Sequence, residues 1–375
     1  MPKLLFFITE DWYFCSHRLQ LAAAAKKAGY DVAILTHLHA HREIIEAAGI
    51  RVIPLDLQRR SLNPIKELKT LLSVIRVYRA EKPDIVHQVA MKPVLYGSIA
   101  ALFTGRCRVV NALAGLGFIF SSDQVKAKLL RPIISASLRF FLGYKGSRLI
   151  LQNPDDLKLF LTSGLISPEH VSLIPGSGVD VSQYTVTEEP SGIITILLAS
   201  RMLWDKGVGE FVKAAELIKK RGITARFVLV GDGDVENPKS ISEETLNHWN
   251  ESGLVEWWGK RNDMPQVFVQ SHLVCLPSTY GEGIPKVLIE AAACGRPIVT
   301  TDMPGCREIV RHKLNGLLVP PKDAAALADA INLLIENPEL RREMGAKGRE
   351  MVVREFTQEI VIEQTLAVYK EMMKP

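Results

Sequence analysis

The chain has 375 residues, of which 47% are hydrophobic and 23% are charged, a balance that is ordinary for a folded, water-soluble protein. The length predicts two or three domains, and the composition excludes a disordered tail, a collagen-like fibre and a disulfide-stabilised scaffold. The five cysteines are scattered and form no Cys-x-x-Cys pair, which argues against a zinc ribbon and indicates a reducing cytosol.

Charge is distributed unevenly along the chain. Residues 1–185 contain 23 Lys and Arg against 14 Asp and Glu, a net charge of +9, whereas the remainder carries −4. A basic front half indicates an anionic partner, which can be a nucleic acid, a membrane surface or a phosphorylated substrate. No run of about 18 uncharged apolar residues occurs, so no membrane-spanning helix is expected. The apolar start is too short for a signal peptide and is interpreted as a buried first strand.

The first half of the chain alternates short apolar strands with helices. The predicted strands are 4–8, 31–36, 51–54, 84–87, 108–113, 148–151 and 171–174. The predicted helices are 17–28, 42–48, 64–80, 93–104, 126–142 and 154–163. Strands that are almost continuously apolar and alternate with helices predict a parallel sheet covered on both faces.

The alternation stops at a polar, patternless stretch and then begins again. The later predicted strands are 193–199, 226–230, 255–258, 273–276, 297–300 and 316–319, followed by helices at 323–336, 339–351 and 357–374. The sequence therefore predicts two doubly wound α/β domains. Their expected extents are 1–180, a linker at 181–192, 193–354, and a helix at 355–375 that packs back on the first domain. Ligands of such sheets bind beyond the carboxyl ends of the strands, and with two domains the expected site is the cleft between them.

Two common phosphate-binding motifs are absent. No Gly-x-Gly-x-x-Gly follows the first strand, and Phe120 occupies the third glycine position of the 115–120 segment. No Gly-x-x-x-x-Gly-Lys-Ser/Thr occurs either. These absences argue against a dinucleotide dehydrogenase and a P-loop enzyme.

Two cations lie five residues apart on the loop after the strand at 193–199. A fixed guanidinium at Arg201 and a mobile ammonium at Lys206 can together neutralise a diphosphate where no metal is present. The alternative interpretation is an exposed charged loop.

A second segment combines an anion-binding loop with two carboxylates. Gly283 and Pro285 mark a loop that enters a helix, so the amides near Gly283 and Ile284 are candidates for binding an anion. Glu282 and Glu290 are eight residues apart, about 12 Å along a helix, which is roughly the reach from a sugar ring to the ribose of a nucleotide sugar. The alternative is a helix with ordinary solvated glutamates.

The segment 231–234 contains an Asp-x-Asp pair that resembles a metal site. It follows the strand at 226–230 as Gly231-Asp232-Gly233-Asp234. It is interpreted as a glycine-rich turn at the nucleotide edge, with metal binding as the alternative.

The order and spacing of these motifs resemble the family 4 glycosyltransferases, which have the two-domain GT-B fold. Glu282 and Glu290 match the family's Glu-x7-Glu motif, and Arg201 and Lys206 match its Arg-x4-Lys diphosphate clamp. The resemblance covers essentially the whole chain and implies two Rossmann-like domains facing across a cleft. Many members carry a histidine after the strand at 108–113, and the segment 111–117 contains none.

A narrower similarity is to bacterial enzymes that extend glycans on undecaprenyl diphosphate, including α-1,3-N-acetylgalactosaminyltransferases and capsule or exopolysaccharide enzymes. It rests on the segments 16–18, 61–64, 203–207 and 236–238. The resemblance implies a retaining enzyme that moves an N-acetylhexosamine or hexose from a UDP-sugar to an undecaprenyl-diphosphate-linked saccharide. It implies no cofactor, no metal and no nucleic-acid partner.

The resemblance also implies roles for individual residues. Arg201 and Lys206 would stabilise charge on the leaving phosphate, and Glu282 would hold a hydroxyl of the donor sugar. The remaining donor-binding residues would be Glu290, which holds the ribose diol, and Gly283, Ile284 and Gly231. The acceptor would be bound by Arg18, which could hold its diphosphate, and by His87 and Lys92, which would flank the same cleft. A helix-surface arginine and a structural histidine are the alternatives for Arg18 and His87.

A lipid-linked acceptor implies an enzyme at the inner face of the plasma membrane. The candidate surface is basic and amphipathic, and an anionic leaflet would attract it. Its basic residues are Arg59, Arg60, Lys66, Lys69, Arg76 and Arg79 in one stretch and Lys126, Lys128, Arg131 and Arg139 in another. The apolar residues between the latter are Leu129, Leu130, Ile133, Ile134, Phe140 and Phe141. The alternative is that these helices only pack on the sheet, with their charged faces in water.

Two other functions remain compatible with the sequence. A nucleotide-sugar epimerase of the same fold would release free UDP and an altered sugar without any acceptor. A non-enzymatic sugar-nucleotide sensor is the second, and the intact Arg201, Lys206, Glu282 and Glu290 count against it.

Overall fold

The chain folds into two compact units. The computed structural model describes residues 1–59, 61, 63–105, 107–113 and 125–374, with side chains from residue 131 onward in the last range. The first unit comprises residues 1–177 together with 360–375, and the second comprises residues 178–359.

The first unit is built on a parallel sheet in the order β3-β2-β1-β4-β5-β6-β7. The strands are β1 Lys3–Glu10, β2 Asp31–His37, β3 Arg51–Pro54, β4 Ile85–Val89, β5 Arg108–Leu113, β6 Ser147–Leu151 and β7 Val171–Leu173. Residues 4–8 of β1 are all buried, because a central parallel strand is covered on both faces.

Helices cover both faces of this sheet. They are α1 Asp11–His17, α2 Leu19–Lys27, α3 Arg42–Ala47, α4 Pro64–Glu81, α5 Met91–Thr104, α6 Val125–Leu142 and α7 Pro154–Thr162. Alternate residues of β1 face opposite layers: Leu5 and Phe7 join a core with α4 and α5, whereas Leu4 and Phe6 join a core with α1 and α2. Helix α6 packs beside α5, so α4, α5 and α6 form one layer.

The second unit repeats the architecture around a parallel sheet in the order β10-β9-β8-β11-β12-β13. The strands are β8 Thr195–Ala199, β9 Arg226–Val230, β10 Glu256–Trp257, β11 Leu273–Leu276, β12 Ile298–Thr301 and β13 Gly316–Val319. The helices are α8 Val208–Lys220, α9 Glu243–Glu251, α10 Met264–Val269, α11 Lys286–Ala293, α12 Cys306–Ile309, α13 Ala324–Glu336 and α14 Pro338–Glu355. Every predicted strand is present, with ends within two residues of the predicted ones.

The last helix, α15 Gln358–Met373, packs against the sheet of the first unit. Its buried residues Val361, Val368 and Tyr369 share a core with Phe6 and Ile34. Tyr369 is fully buried, so the chain terminus is part of the first unit's core.

The helix predicted at 17–28 divides into two helices in the structure. Helix α1 begins at Asp11, directly after β1, and α2 begins at Leu19, with Arg18 between them. The Asp11 carboxylate is buried and accepts hydrogen bonds from the backbone amides of His39 (2.7 Å) and His41 (3.1 Å). These bonds hold the loop after β2 against the start of α1, so helical structure begins six residues earlier than predicted.

The segment 181–192, expected to be a linker, is bound to the second unit. Arg296 donates hydrogen bonds to the carbonyl (3.2 Å) and hydroxyl (2.7 Å) oxygens of Thr187. Arg341 binds both carboxylate oxygens of Glu189, at 2.9 and 2.8 Å. Bidentate guanidinium contacts of this kind fix geometry, so the segment is part of the second unit. Its polar, patternless sequence gave no sign of this because its partners are distant in the chain.

Among the described residues, none of the helices combines the length and the apolar character needed to cross a membrane.

Candidate active site

Three neighbouring strands of the second unit deliver the predicted donor-site residues to one edge of the sheet. Strand β8 is followed by Arg201 and Lys206, β9 by Gly231, and β11 by the loop that contains Glu282. Because β9, β8 and β11 are adjacent and parallel, their carboxyl ends meet, which is where ligands bind in this class of sheet.

Close backbone approaches shape this edge, and glycines make them possible. Gly207 has a φ of +74°, and a Cβ atom there would lie 1.9 Å from the carbonyl oxygen of Pro277. Gly231 has a φ of +131°, and a Cβ atom would lie 1.9 Å from the carbonyl oxygen of Ser200. Only glycine fits such positions, so the loop of Arg201 and Lys206 is tightly packed against both neighbouring loops.

Lys206 and Glu282 form a buried ion pair. Their side chains are 11% and 12% exposed, and the ammonium contacts the Glu282 carboxylate directly. Ser278 Oγ donates a 2.7 Å hydrogen bond to the other carboxylate oxygen. Burial opposes the charge of Lys206, but the neighbouring carboxylate outweighs it and raises the pKa of Lys206, so the group stays an ammonium.

Arg201 is paired with a carboxylate that the sequence interpretation had placed in a turn. Its Nη1 lies 2.6 Å from Oδ2 of Asp234. The Arg201 side chain remains 40% exposed, so its remaining donors are accessible to a ligand. Among the described residues no group of three or more His, Cys, Asp or Glu could hold a metal ion.

Glu290 lies in the middle of α11 and is 7% exposed. The Tyr184 hydroxyl donates a 2.8 Å hydrogen bond to its Oε1, and Lys286 Nζ lies 3.4 Å from the same oxygen. Burial raises the pKa of Glu290, and Lys286 and Tyr184 oppose that shift in part. Both of these contacts are made to the same carboxylate oxygen, Oε1.

Tyr184 was missed by the sequence interpretation because it lies in the segment 181–192. Its own carbonyl accepts a 2.6 Å hydrogen bond from Arg349, which also donates to the carbonyl of Ala293 at 2.7 Å. Arg349 therefore joins the Tyr184 segment to the end of the helix that carries Glu290.

The predicted 12 Å separation between Glu282 and Glu290 assumed one continuous helix, and that assumption is wrong. Helix α11 begins at Lys286, so Glu282 lies in the preceding loop. Gly305 supports this loop: its φ is +84°, and a Cβ atom there would lie 1.6 Å from the carbonyl oxygen of Gly283. Ile284, next to Gly283, is buried.

Arg18 and His87 lie buried in the first unit with unsatisfied donors. Arg18 is 5% exposed, and the one described hydrogen bond of its side chain is a 3.4 Å contact from Nη1 to the carbonyl of His17. Within the described part of the chain, Arg18 Nε and His87 Nε2 have no hydrogen-bond partner. Buried nitrogen donors without an acceptor are rare in folded proteins, so this pair fits an oxygen-rich anionic ligand.

Tyr369 determines which nitrogen of His87 carries the proton. The Tyr369 hydroxyl lies 2.5 Å from His87 Nδ1. Burial, with Arg18 nearby, lowers the pKa of His87, and burial raises the pKa of Tyr369. The phenol therefore donates to a neutral imidazole, and the proton of His87 is on Nε2.

Lys92, the third predicted acceptor residue, is engaged by other groups of the first unit. Its ammonium donates to the carbonyls of Gln58 and Ser61, each at 2.8 Å, and to the Glu67 carboxylate at 2.9 Å. An ammonium has three protons, so these partners satisfy it. Lys92 instead anchors the segment before α4 to the start of α5.

The outward face of the α4–α6 layer is both apolar and basic. On α4, Ile65 and Leu68 are 69% and 56% exposed, beside exposed Lys66 and Lys69. Ile133 and Phe140 on α6 are 65% and 66% exposed. The other described members of the predicted surface are Arg59, Arg76, Arg79, Arg131, Ile134, Arg139 and Phe141. Arg60 and the side chains of Lys126, Lys128, Leu129 and Leu130 lie outside the described residues.

Comparisons with known proteins agree with this architecture. Residues 3–152 match the family model described as "Glycosyl transferase 4-like", and residues 185–351 match "Glycosyl transferases group 1". The structure is similar to that of HepE from Anabaena in complex with UDP-glucose, with a TM-score of 0.78 and 20% identity over 99% of this chain and 100% of that one. Sucrose-phosphate synthase from Thermosynechococcus elongatus gives a TM-score of 0.81 at 20% identity, over 99% of each chain.

Curated relatives are similar over most of their length. One is the N,N'-diacetylbacillosaminyl-diphospho-undecaprenol alpha-1,3-N-acetylgalactosaminyltransferase of Campylobacter jejuni, 28% identical over 95% of both chains. Another is the UDP-Gal:alpha-D-GlcNAc-diphosphoundecaprenol alpha-1,3-galactosyltransferase of Escherichia coli, 26% identical over 79% of this chain and 78% of that one. Since the two family models together match most of the sequence, the chain belongs to the family 4 glycosyltransferases of the GT-B fold.

Proposed function

We propose that the protein is a retaining glycosyltransferase that moves a sugar from a UDP-sugar to an undecaprenyl-diphosphate-linked saccharide during assembly of a bacterial surface glycan. The observation that carries the proposal is the convergence of Arg201, Lys206 and Glu282 at the carboxyl edge of one parallel sheet, with Glu290 on the helix that follows. The names of the Campylobacter and Escherichia relatives support the lipid-linked acceptor.

The donor chemistry follows from charge. Breaking the bond between the sugar C1 and the diphosphate places negative charge on the leaving phosphate, and Arg201 and Lys206 are preorganised to stabilise it. Glu282 holds a hydroxyl of the donor sugar, and Glu290 holds the ribose diol. In front-face attack the acceptor oxygen bonds to C1 on the side that the phosphate leaves, and the phosphate takes the acceptor proton. UDP and the extended glycan are the products.

Side chains supply the positive charge in this scheme, so we propose that neither a metal nor another cofactor is required. Asp234, one of the two aspartates of the Asp-x-Asp pair, forms an ion pair with Arg201. Gly231 brings the backbone close to the cation loop, and the amides near Gly283 and Ile284 lie on the donor side of α11.

The transfer assay tests the proposed reaction. Purified protein, a UDP-sugar and an undecaprenyl-diphosphate saccharide should yield an extended glycan with the anomeric configuration of the donor, as measured by NMR. The rate should be unchanged in EDTA. Free UDP and an altered sugar formed without acceptor would instead establish the epimerase, and a loss in EDTA that Mn²⁺ restores would assign a metal to Asp232 and Asp234.

We assign the acceptor diphosphate to Arg18 and His87. The two N–H donors without described acceptors, Arg18 Nε and His87 Nε2, are complementary to phosphate oxygens. Lys92 is left out of this site because its protons are engaged elsewhere.

Replacing Arg18 with methionine should weaken acceptor binding without lowering the stability of the fold. We expect the KM for the lipid-diphosphate acceptor to rise about tenfold to hundredfold, the usual range for a lost charged hydrogen bond. The melting temperature should stay constant or rise, because a buried cation without a counter-ion is costly.

The matched control is Arg42→Met, which removes an exposed arginine paired with Glu46 at 2.9 Å. An unchanged acceptor KM in Arg18→Met, measured at saturating donor, would show that the diphosphate binds elsewhere.

We further propose that the protein is cytoplasmic and binds the inner face of the plasma membrane through the outward face of α4 and α6. Exposed lysines and arginines beside exposed isoleucine, leucine and phenylalanine provide both attractions that a peripheral surface uses. Each basic residue near an anionic leaflet contributes about 1 kcal/mol, which fits the basic front half of the chain.

Vesicle flotation tests the membrane surface. Reversing two charges with Lys66→Glu and Lys69→Glu should reduce binding to anionic vesicles at low salt by about tenfold or more. The helix should tolerate both changes, because acidic residues near a helix start are favourable. Lys219→Glu with Lys220→Glu, an exposed pair on α8, is the control. Equal binding of all three proteins would refute this surface.

A further inference from the structure

Asp234 lies at the donor edge, and the proposed mechanism provides no task for its carboxylate. Its side chain is 15% exposed, and Oδ2 lies 2.6 Å from Nη1 of Arg201. A contact this short, with one partner largely buried, is a well-formed ion pair.

The backbone holds Asp234 in place. Its amide donates a 2.9 Å hydrogen bond to Ser240 Oγ, and its carbonyl accepts one from the amide of Asn237 at 2.6 Å. The loop is then tied to the cation loop, because the amide of Ile241 donates to the carbonyl of Met202 at 2.9 Å. The carboxylate is therefore presented to Arg201 by a fixed turn, and little side-chain entropy is lost in forming the pair.

The ion pairs of Lys206 and Arg201 differ in the role of the carboxylate. Glu282, the partner of Lys206, also accepts from Ser278 and has a proposed role on the donor sugar. Asp234 has no such second role, and the proposed ligand of its partner Arg201 is an anion like Asp234 itself. A diphosphate that binds Arg201 must share it with Asp234 or displace Asp234 from it.

We propose that Asp234 is a positioning residue that orients Arg201 in the empty site and competes with the diphosphate for it. It thereby weakens the hold of the enzyme on UDP and speeds release of this product. The inference rests on the proposed function, because it requires that Arg201 bind the diphosphate of the donor.

The competition predicts a gain of affinity on mutation. Asp234→Asn keeps the size of the side chain and removes its charge, so UDP should bind about fivefold to tenfold more tightly, as expected when a repulsive, competing charge is removed. The KM for the UDP-sugar and kcat should fall together, because product release becomes slower. If Asp234 had only a structural role, its replacement would instead raise the KM for the UDP-sugar.

Isothermal titration with UDP decides the matter. The variant Asp234→Glu retains the negative charge, so it should bind UDP with an affinity close to that of the wild type. The control Asp263→Asn breaks an exposed ion pair to Arg261, 2.5 Å long and in the same unit, and should leave UDP affinity unchanged. Circular dichroism melting curves establish that each variant is folded.

The outcomes separate this inference from the proposed function. Wild-type binding of UDP with equal or weaker binding by Asp234→Asn would overturn the role of Asp234 alone. Failure of the wild-type protein to bind UDP would overturn the donor assignment and this inference with it.

Discussion

Replacing Lys206 with methionine should reduce the rate of transfer by about 10²–10³-fold, the usual effect of removing one preorganised charge stabiliser. The effect should fall on kcat, because the negative charge on the leaving phosphate grows as the bond to C1 breaks. The structure strengthens this expectation. Lys206 is 11% exposed, so water cannot replace the ammonium easily.

The buried partner of Lys206 makes a stability control necessary. Lys206→Met leaves the Glu282 carboxylate without its ammonium, and removing one partner of a buried pair costs about 3–5 kcal/mol of unfolding free energy. The double variant Lys206→Met with Glu282→Gln removes the remaining charge as well. It should regain stability toward urea and remain inactive, which separates loss of the catalytic charge from loss of fold.

Lys220→Met is the control for surface charge, because Lys220 is 66% exposed on α8 and pairs with Glu216. It should keep the wild-type rate. A Lys206→Met variant that turns over at the wild-type rate with saturating donor would exclude Lys206 from the diphosphate site.

The donor motif was readable from the sequence because each of its two parts directly follows a strand, β8 or β11. Arg201 and Lys206 are on one loop, and Glu282 and Glu290 are in one loop–helix segment, so spacing alone links each pair. What spacing could not show is that Asp234, from a third loop, is the counter-ion of Arg201. Nor could it show that Gly305 packs against the carbonyl of Gly283, where a Cβ atom would lie 1.6 Å from the carbonyl oxygen.

Contacts between distant segments were beyond the sequence patterns. Tyr369 hydrogen-bonds to His87 across 282 residues of chain, and Tyr184 reaches Glu290 across 106. The sequence pattern around each tyrosine predicts the local secondary structure, but it does not predict which distant residue the side chain contacts. Lys92 illustrates a related failure of sequence patterns. Its position after a strand was predicted correctly, but hydrogen-bond acceptors in the segment 58–67 engage its three protons. Burial and hydrogen-bond completeness, which require coordinates, decide which charged residues are available to a ligand.

Replacing Glu290 with glutamine should raise the KM for the UDP-sugar about tenfold to hundredfold, since a hydrogen bond to a charged group contributes about 1.5–3 kcal/mol. The substitution keeps an oxygen for the Tyr184 hydroxyl, which lies 2.8 Å from Oε1, so the site should remain folded. Glu216→Gln is the matched control. Each glutamate forms an ion pair with a lysine four residues away in the sequence. Glu216, however, is 46% exposed and has no proposed role in donor binding.

The pH dependence gives Glu290 a signature of its own. Burial raises the pKa of Glu290 above its usual value, so the carboxylate takes up a proton at a higher pH than an exposed glutamate does. A protonated carboxyl accepts fewer hydrogen bonds, and kcat/KM for the donor should therefore fall on the acid side as pH drops through that raised pKa. Glu290→Gln should lack this acid limb. Tyr184→Phe should move it to still higher pH, because the Tyr184 hydrogen bond favours the ionised form and lowers the pKa of Glu290. An acid limb that is identical in wild type, Glu290→Gln and Tyr184→Phe would mean that Glu290 does not hold the donor.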